Sequence, residues 1–185
     1  MKYLFSFLLL TVISLNLVQA KAPEQKGELT WYNKLDEAQK ISNAQNKPIF
    51  AFFTGSDWCG WCHKLQREVF AKKEFIEWAK KNVVLLELDF PRSKPMPEDI
   101  TKQNSELQQF FRVQGYPTVW LFFVKDDPAT KKKNIEALGS QGYPQNATPG
   151  REQDAFISEA NTNLSKMKKA EPAKKVAPTK KTTKK

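Results

Sequence analysis

The stretch Ile49-Phe50-Ala51-Phe52-Phe53-Thr54-Gly55-Ser56-Asp57-Trp58-Cys59-Gly60-Trp61-Cys62-His63 decides the fold. Pro48 ends a preceding helical pattern, and Ile49 to Phe53 is a continuous apolar run of strand length. A run without polar alternation reads as a strand buried on both faces, in the centre of a sheet covered by helices. Gly55-Ser56-Asp57 supplies turn residues. Cys59 to Phe70 then places Cys62, Leu65 and Val69 at helical spacing. Both cysteines of the chain therefore stand where a buried strand turns into a helix.

That placement has a chemical reason. The start of a helix presents unpaired backbone N–H groups and about half a positive charge, which favours a thiolate over a thiol. Cys59 is thus the expected low-pKa nucleophile. Cys62, one turn further on and facing inward with Leu65 and Val69, is the expected resolving cysteine. Other readings stay open. A purely structural cross-link of so small a loop constrains the unfolded chain little. Zinc or copper would have Cys59, Cys62 and His63 but no second pair of ligands in sequence. Two inert buried thiols are the third.

Outward from this unit, Glu28 to Tyr32 reads as a short strand and Leu35 to Gln45 as a helix. Helical structure resumes at Phe75, Ile76 and Ala79 after a break at Ala71-Lys72, and Val83 to Asp89 is the next strand. A proline-rich loop (Pro91, Pro95, Pro97) leads to a helix from about Ile100 to Phe111. Val119 to Val124 is a third apolar strand. Asp126-Asp127-Pro128 turns it into a hairpin with Ile135 to Leu138, an irregular stretch runs from Gly139 to Gly150, and Glu152 to Leu164 is a closing helix. The order βαβαβαββα predicts an α/β domain whose mixed sheet is sandwiched by helices.

Val113-Gln114-Gly115-Tyr116-Pro117-Thr118-Val119 sets a proline at the entrance of an apolar strand. Together with Trp58-Cys59-Gly60-Trp61-Cys62 after a buried strand, this pattern resembles the thioredoxin superfamily, including protein disulfide isomerase domains. The resemblance implies a thioredoxin-like fold over residues 28–165. It also implies a cis Pro117 beside Cys59 and Cys62, and a substrate groove lined by Trp58, Gly60, Trp61 and Tyr116. Trp61-Cys62-His63 and the stretch Lys64 to Phe70 are more similar to exported single-domain members than to thioredoxin itself. Two positions depart from the pattern. Six residues before the first cysteine, where thioredoxin has a buried acid, stands Phe53, and the third motif position is Trp61. Glu87, an acid within the Val83–Asp89 run, is a candidate to replace the missing proton relay, and His63 a candidate to tune the thiolates.

The function implied is an exported thiol-disulfide oxidoreductase of reductase or isomerase type, acting on protein thiols and disulfides and recycled by a membrane-embedded redox partner. It needs no cofactor or metal beyond the redox-active pair Cys59–Cys62. The competing class is a non-catalytic binding module or metal carrier of the same fold, held to an anionic envelope surface by a lysine-rich tail.

The ends of the chain account for its charge. The 185 residues carry a net charge of +10. Residues 1–20, with Lys2 followed by the apolar run Leu4 to Val18, read as a signal peptide, which predicts a periplasmic or otherwise secreted protein. Residues 21–27 are a linker. Residues 166–185 hold nine Lys and one acid among Ala, Pro and Thr, a tail too polar to fold on its own. Residues 21–165 are left with 20 bases and 19 acids, so the body is electrically ordinary. The tail lacks aromatic residues that would stack bases, and nucleic acid is not the favoured partner. Asn146-Ala147-Thr148 and Asn163-Leu164-Ser165 match glycosylation sequons, relevant only in a eukaryotic secretory host.

Overall fold

The computed structural model describes residues 29–130 and 132–169. The expected signal peptide, the linker and the tail beyond Lys169 lie outside them. The chain runs β1 (Trp31–Tyr32), α1 (Leu35–Gln45), β2 (Ile49–Thr54), α2 (Gly60–Leu65), α3 (Lys73–Asn82), β3 (Val84–Asp89), α4 (Glu98–Phe110), β4 (Thr118–Asp126), β5 (Lys133–Gln141) and α5 (Glu152–Leu164). Between α2 and α3 the helix widens into a π-turn at Gln66–Phe70, closed by the Ala71 N–H donating to Gln66 O at 2.8 Å.

The apolar run at Ile49 occupies the position its composition predicts. The sheet order is β1-β3-β2-β4-β5, with β2 in the centre and buried along its whole length. β1 and β2 run parallel to β3, while β4 runs antiparallel to β2 and β5 antiparallel to β4. Side chains of a strand alternate between faces, so β2 feeds two cores. Phe50 and Phe52 face α2, α3 and α5, in a cluster with Cys59, Cys62, Leu65, Phe75 and Phe156. Ile49, Ala51 and Phe53 face α1 and α4, with Leu35, Leu107 and Phe111.

Some element boundaries match the sequence expectation and others differ. α1 ends at Gln45 because Asn46 adopts the left-handed conformation, φ 50°, and its N–H donates to Ser42 O. β5 reaches Gln141 rather than Leu138. A register shift opposite Leu121 and Phe122 interrupts its alternation, and Gly139 allows the close approach of Asn163, whose side chain a Cβ at position 139 would strike. Asn163 itself is buried, so that sequon is not an open surface site. Residues 166–169, assigned by composition to the tail, continue from α5 in the 3-10 turn Ser165–Lys169, where Met167 packs against the core. Among the described residues no helix is long and apolar enough to cross a membrane.

Candidate active site

Cys59 is the N-cap of α2 and forms a disulfide with Cys62. The turn that delivers it is built from the end of β2: Gly55 O accepts the N–H of Trp58 at 3.2 Å and of Cys59 at 2.8 Å. Cys59 O then receives the N–H groups of Cys62 and His63, and the Cys62 N–H also reaches Cys59 Sγ at 3.2 Å. Cys59 is 5% exposed and Cys62 fully enclosed. A sulfur held against helix-start N–H groups is stabilised as a thiolate once the S–S bond opens.

Two aspartates tie this turn to the segment after β3. Asp89 accepts from the Ser56 N–H at 2.7 Å and the Ser56 hydroxyl at 2.6 Å. Asp57 accepts the N–H groups of Arg92, at 3.0 Å, and Ser93, at 2.7 Å, and the Ser93 hydroxyl. These bonds, led by the Ser93 hydroxyl, hold the Asp57 carboxyl down at about 2. The His63 Nε2–H donates to Ser56 O at 2.8 Å, so the ring braces the same turn.

The expected groove residues divide into two groups around the disulfide. Trp58 folds over Gly55, leaving no room for a Cβ there, and donates its indole N–H to Phe90 O at 2.8 Å. Its ring meets the edge of Tyr116 at 5.7 Å, and Arg92 lies over it at 3.8 Å. Tyr116 stacks on Phe90, accepts the Gln108 amide N–H at 2.8 Å and precedes Pro117 through a cis peptide bond. Burial pushes its hydroxyl up to about 12. On the other side Trp61, half exposed, meets Tyr143 edge-on at 5.1 Å, with Lys64 over both rings. Burial and the Glu68 carboxylate it donates to push the Tyr143 hydroxyl upward. Gly60 opens α2 between these groups.

Phe53 lies on the α1/α4 face, away from the cysteines; its neighbours Phe52 and Thr54 are on the cysteine face. Counting six residues back from Cys59 thus lands on the wrong side of the sheet, because the length of the turn sets which strand residue underlies the helix. Glu87 pairs in register with Phe52 and so shares the cysteine face, half-buried. Burial first, then Asp89, raises its carboxyl above the usual range, while Lys94 opposes. Arg92, Tyr143, Lys64 and Thr54 escape sequence reading: the first two stand in loops without periodicity, Lys64 looks like a solvated helix residue, and Thr54 like an ordinary end of strand. Among the described residues no group of three His, Cys, Asp or Glu is placed to hold a metal ion.

A disulfide capping a helix at the end of a central strand, in a sheet whose strand β4 is entered through a cis proline, defines a thiol-disulfide oxidoreductase of thioredoxin-like fold. Residues 35–127 match the thioredoxin-like domain family, to which this chain belongs. It is 34% identical over 126 residues to the disulfide bond reductase DsbH of Chlamydia pneumoniae, covering 68% of this chain and 75% of that protein. It is 28% identical over 134 residues to the thioredoxin-related protein DsbJ of the same organism, covering 72% of this chain and 37% of DsbJ. Among solved structures, a DsbH oxidoreductase superposes with a TM-score of 0.62 at 30% identity, over 80% of this chain and 92% of that one. A Thermus thermophilus thioredoxin, TM-score 0.51 at 18% identity over 75% and 88% of the two chains, shares the fold.

Proposed function

We propose that the protein is an exported, periplasmic oxidoreductase that reduces or reshuffles disulfides in extracytoplasmic proteins. The observation that carries this reading is the asymmetry of the pair: Cys59 at the helix start, its sulfur receiving an N–H at 3.2 Å, and Cys62 enclosed behind it. In the reductive direction, Cys59 thiolate attacks a substrate disulfide and releases one substrate thiolate, which takes up a proton. Cys62, on losing its proton, attacks the Cys59 sulfur and expels the second substrate sulfur, so the Cys59–Cys62 disulfide is regained. Two electrons pass to the substrate, and a membrane-embedded partner returns them. Export rests on the apolar leader at residues 1–20, and the direction on the likeness to a named reductase. The lysine-rich end of the chain adds a salt-sensitive attachment to anionic surfaces.

Equilibration of the mature protein with glutathione buffers tests the direction. We expect a potential between the isomerase and reductant values, about −180 to −270 mV, whereas a value near −120 mV would make it an oxidant. Stoichiometric bound zinc or copper without turnover would replace the enzyme by a carrier.

Glu87 serves in this reading as the carboxyl that exchanges a proton with the resolving cysteine. Its neutral form is favoured by the fold, so wild-type stability falls as pH rises from the usual glutamate range through the raised folded value. Glu87→Gln is therefore expected to be more stable than wild type at neutral pH, with the advantage vanishing in acid. It is also expected to flatten the pH profile of exchange; urea titrations and exchange rates between pH 5 and 8 check both, and an unchanged profile removes Glu87 from the relay.

A further inference from the structure

Among the described residues two buried side-chain polar atoms lack a hydrogen-bond partner, Gln153 Oε1 and Thr54 Oγ1. The second stands in the active site. Thr54 is the last residue of β2, fully buried, and on the face of Phe50 and Phe52, which pack in one cluster with Cys59 and Cys62. The residue after it, Gly55, carries the carbonyl that caps the N–H groups of Trp58 and Cys59. Asp89 is its register partner on β3. Continuing the β2–β4 register one step past Phe53 opposite Thr118 sets Pro117 across from it. Thr54 thus leads directly into the active-site turn, on the face of β2 that packs with the cysteines, at the register step that follows onto the cis proline.

A hydroxyl enclosed without a partner opposes folding relative to valine, which has the same shape and nothing to satisfy. This is the state of the molecule with its disulfide closed. We propose that the Thr54 hydroxyl is a hydrogen-bond donor reserved for the dithiol form, engaging the sulfur of Cys62 once the S–S bond is opened. Cys59 already receives the Cys62 N–H, whereas Cys62 is enclosed in the apolar cluster and needs a donor to hold charge while it resolves a mixed disulfide. Opening consumes two electrons and two protons, supplied by a reduced thiol partner such as two glutathione molecules, which leave as their disulfide. Thr54 acts here as a positioning residue, and the inference rests on the oxidoreductase reading.

The test compares Thr54→Val with Thr54→Ser by glutathione equilibration of the full-length mature protein. Removing a bond made only in the dithiol shifts the balance toward the disulfide. Thr54→Val is expected to favour the oxidised form about tenfold, a shift of about 30 mV to more negative potential for a two-electron couple, while Thr54→Ser stays within twofold of wild type. In urea, oxidised Thr54→Val is expected to be at least as stable as oxidised wild type, and the reduced variant less stable than reduced wild type. Equal potentials for Thr54→Val and wild type, or the same stability change in both redox forms, would overturn the assignment while leaving the oxidoreductase reading intact. Wild-type protein that did not exchange with glutathione would defeat that reading, and this one with it.

Discussion

Replacing Cys59 by Ser is expected to reduce disulfide exchange to the uncatalysed background, whereas replacing Cys62 by Ser leaves the first step intact and captures substrates as mixed disulfides. The difference follows from where the two sulfurs sit. Cys59 is at the rim of the site and receives an N–H at 3.2 Å, so it is the sulfur a substrate disulfide meets first and the one held as thiolate. A serine hydroxyl in that place stays protonated at neutral pH and does not open an S–S bond. Cys62 is enclosed and meets only the Cys59 side of a mixed disulfide, so without it the covalent complex has no internal exit. Non-reducing gels of mature protein mixed with a disulfide-containing substrate check both: no adduct with Cys59→Ser, a thiol-sensitive adduct with Cys62→Ser. Full exchange activity in Cys59→Ser would reverse the assignment of the nucleophile.

Phe50→Ala is expected to cost about 3–5 kcal/mol of folding free energy, the range for removing a fully buried aromatic ring. Phe50 is the hub of the packing beneath the cysteine helix. Its ring lies within 5.7 Å of Phe70 and Phe75, and 6.1 Å from Trp31 and Phe156, mostly edge to face, so both burial and ring geometry are lost together. Phe110, exposed and paired mainly with its neighbour Phe111, provides the contrast: its alanine variant should change stability by no more than about 0.5 kcal/mol. Chemical denaturation of the oxidised proteins gives both values. A loss below about 1 kcal/mol for Phe50→Ala would mean that the surrounding rings collapse into the space.

The central architecture was legible because it rests on composition that physics reads in one way. An unbroken run from Ile49 to Phe53 has no solvent-facing side, so it lies at the centre of a covered sheet, and the spacing of Cys62, Leu65 and Val69 fixes the inner face of the helix that follows. The site was legible to the extent that it is local in sequence. Cys59, Gly60, Trp61, Cys62 and His63 share one turn, and Tyr116 was located by the proline after it. What the sequence hid depends on the third dimension. Phe53 and Phe52 differ by one position and therefore by one face of the sheet, a distinction set by turn length rather than residue type. Arg92 reaches Trp58 only because Asp57 holds the Arg92 and Ser93 backbone, and Tyr143 reaches Trp61 across an irregular loop. β5 was shortened in reading because the irregularity near Gly139 breaks the two-residue repeat by which a strand is recognised.

The π-turn at Gln66–Phe70 ends the cysteine helix, and the extended backbone of Lys72 separates it from α3, so the two helices have separate angular phase. An α-helix carried straight through from Cys59 would make every length change near α3 rotate the cysteines by about 100° per residue. The non-helical link at Ala71-Lys72 absorbs such a change without turning the cysteines. The reactive end and the α3 end of this region can thus drift independently in sequence, the first constrained by chemistry and the second only by how Phe75 and Ala79 fill the core.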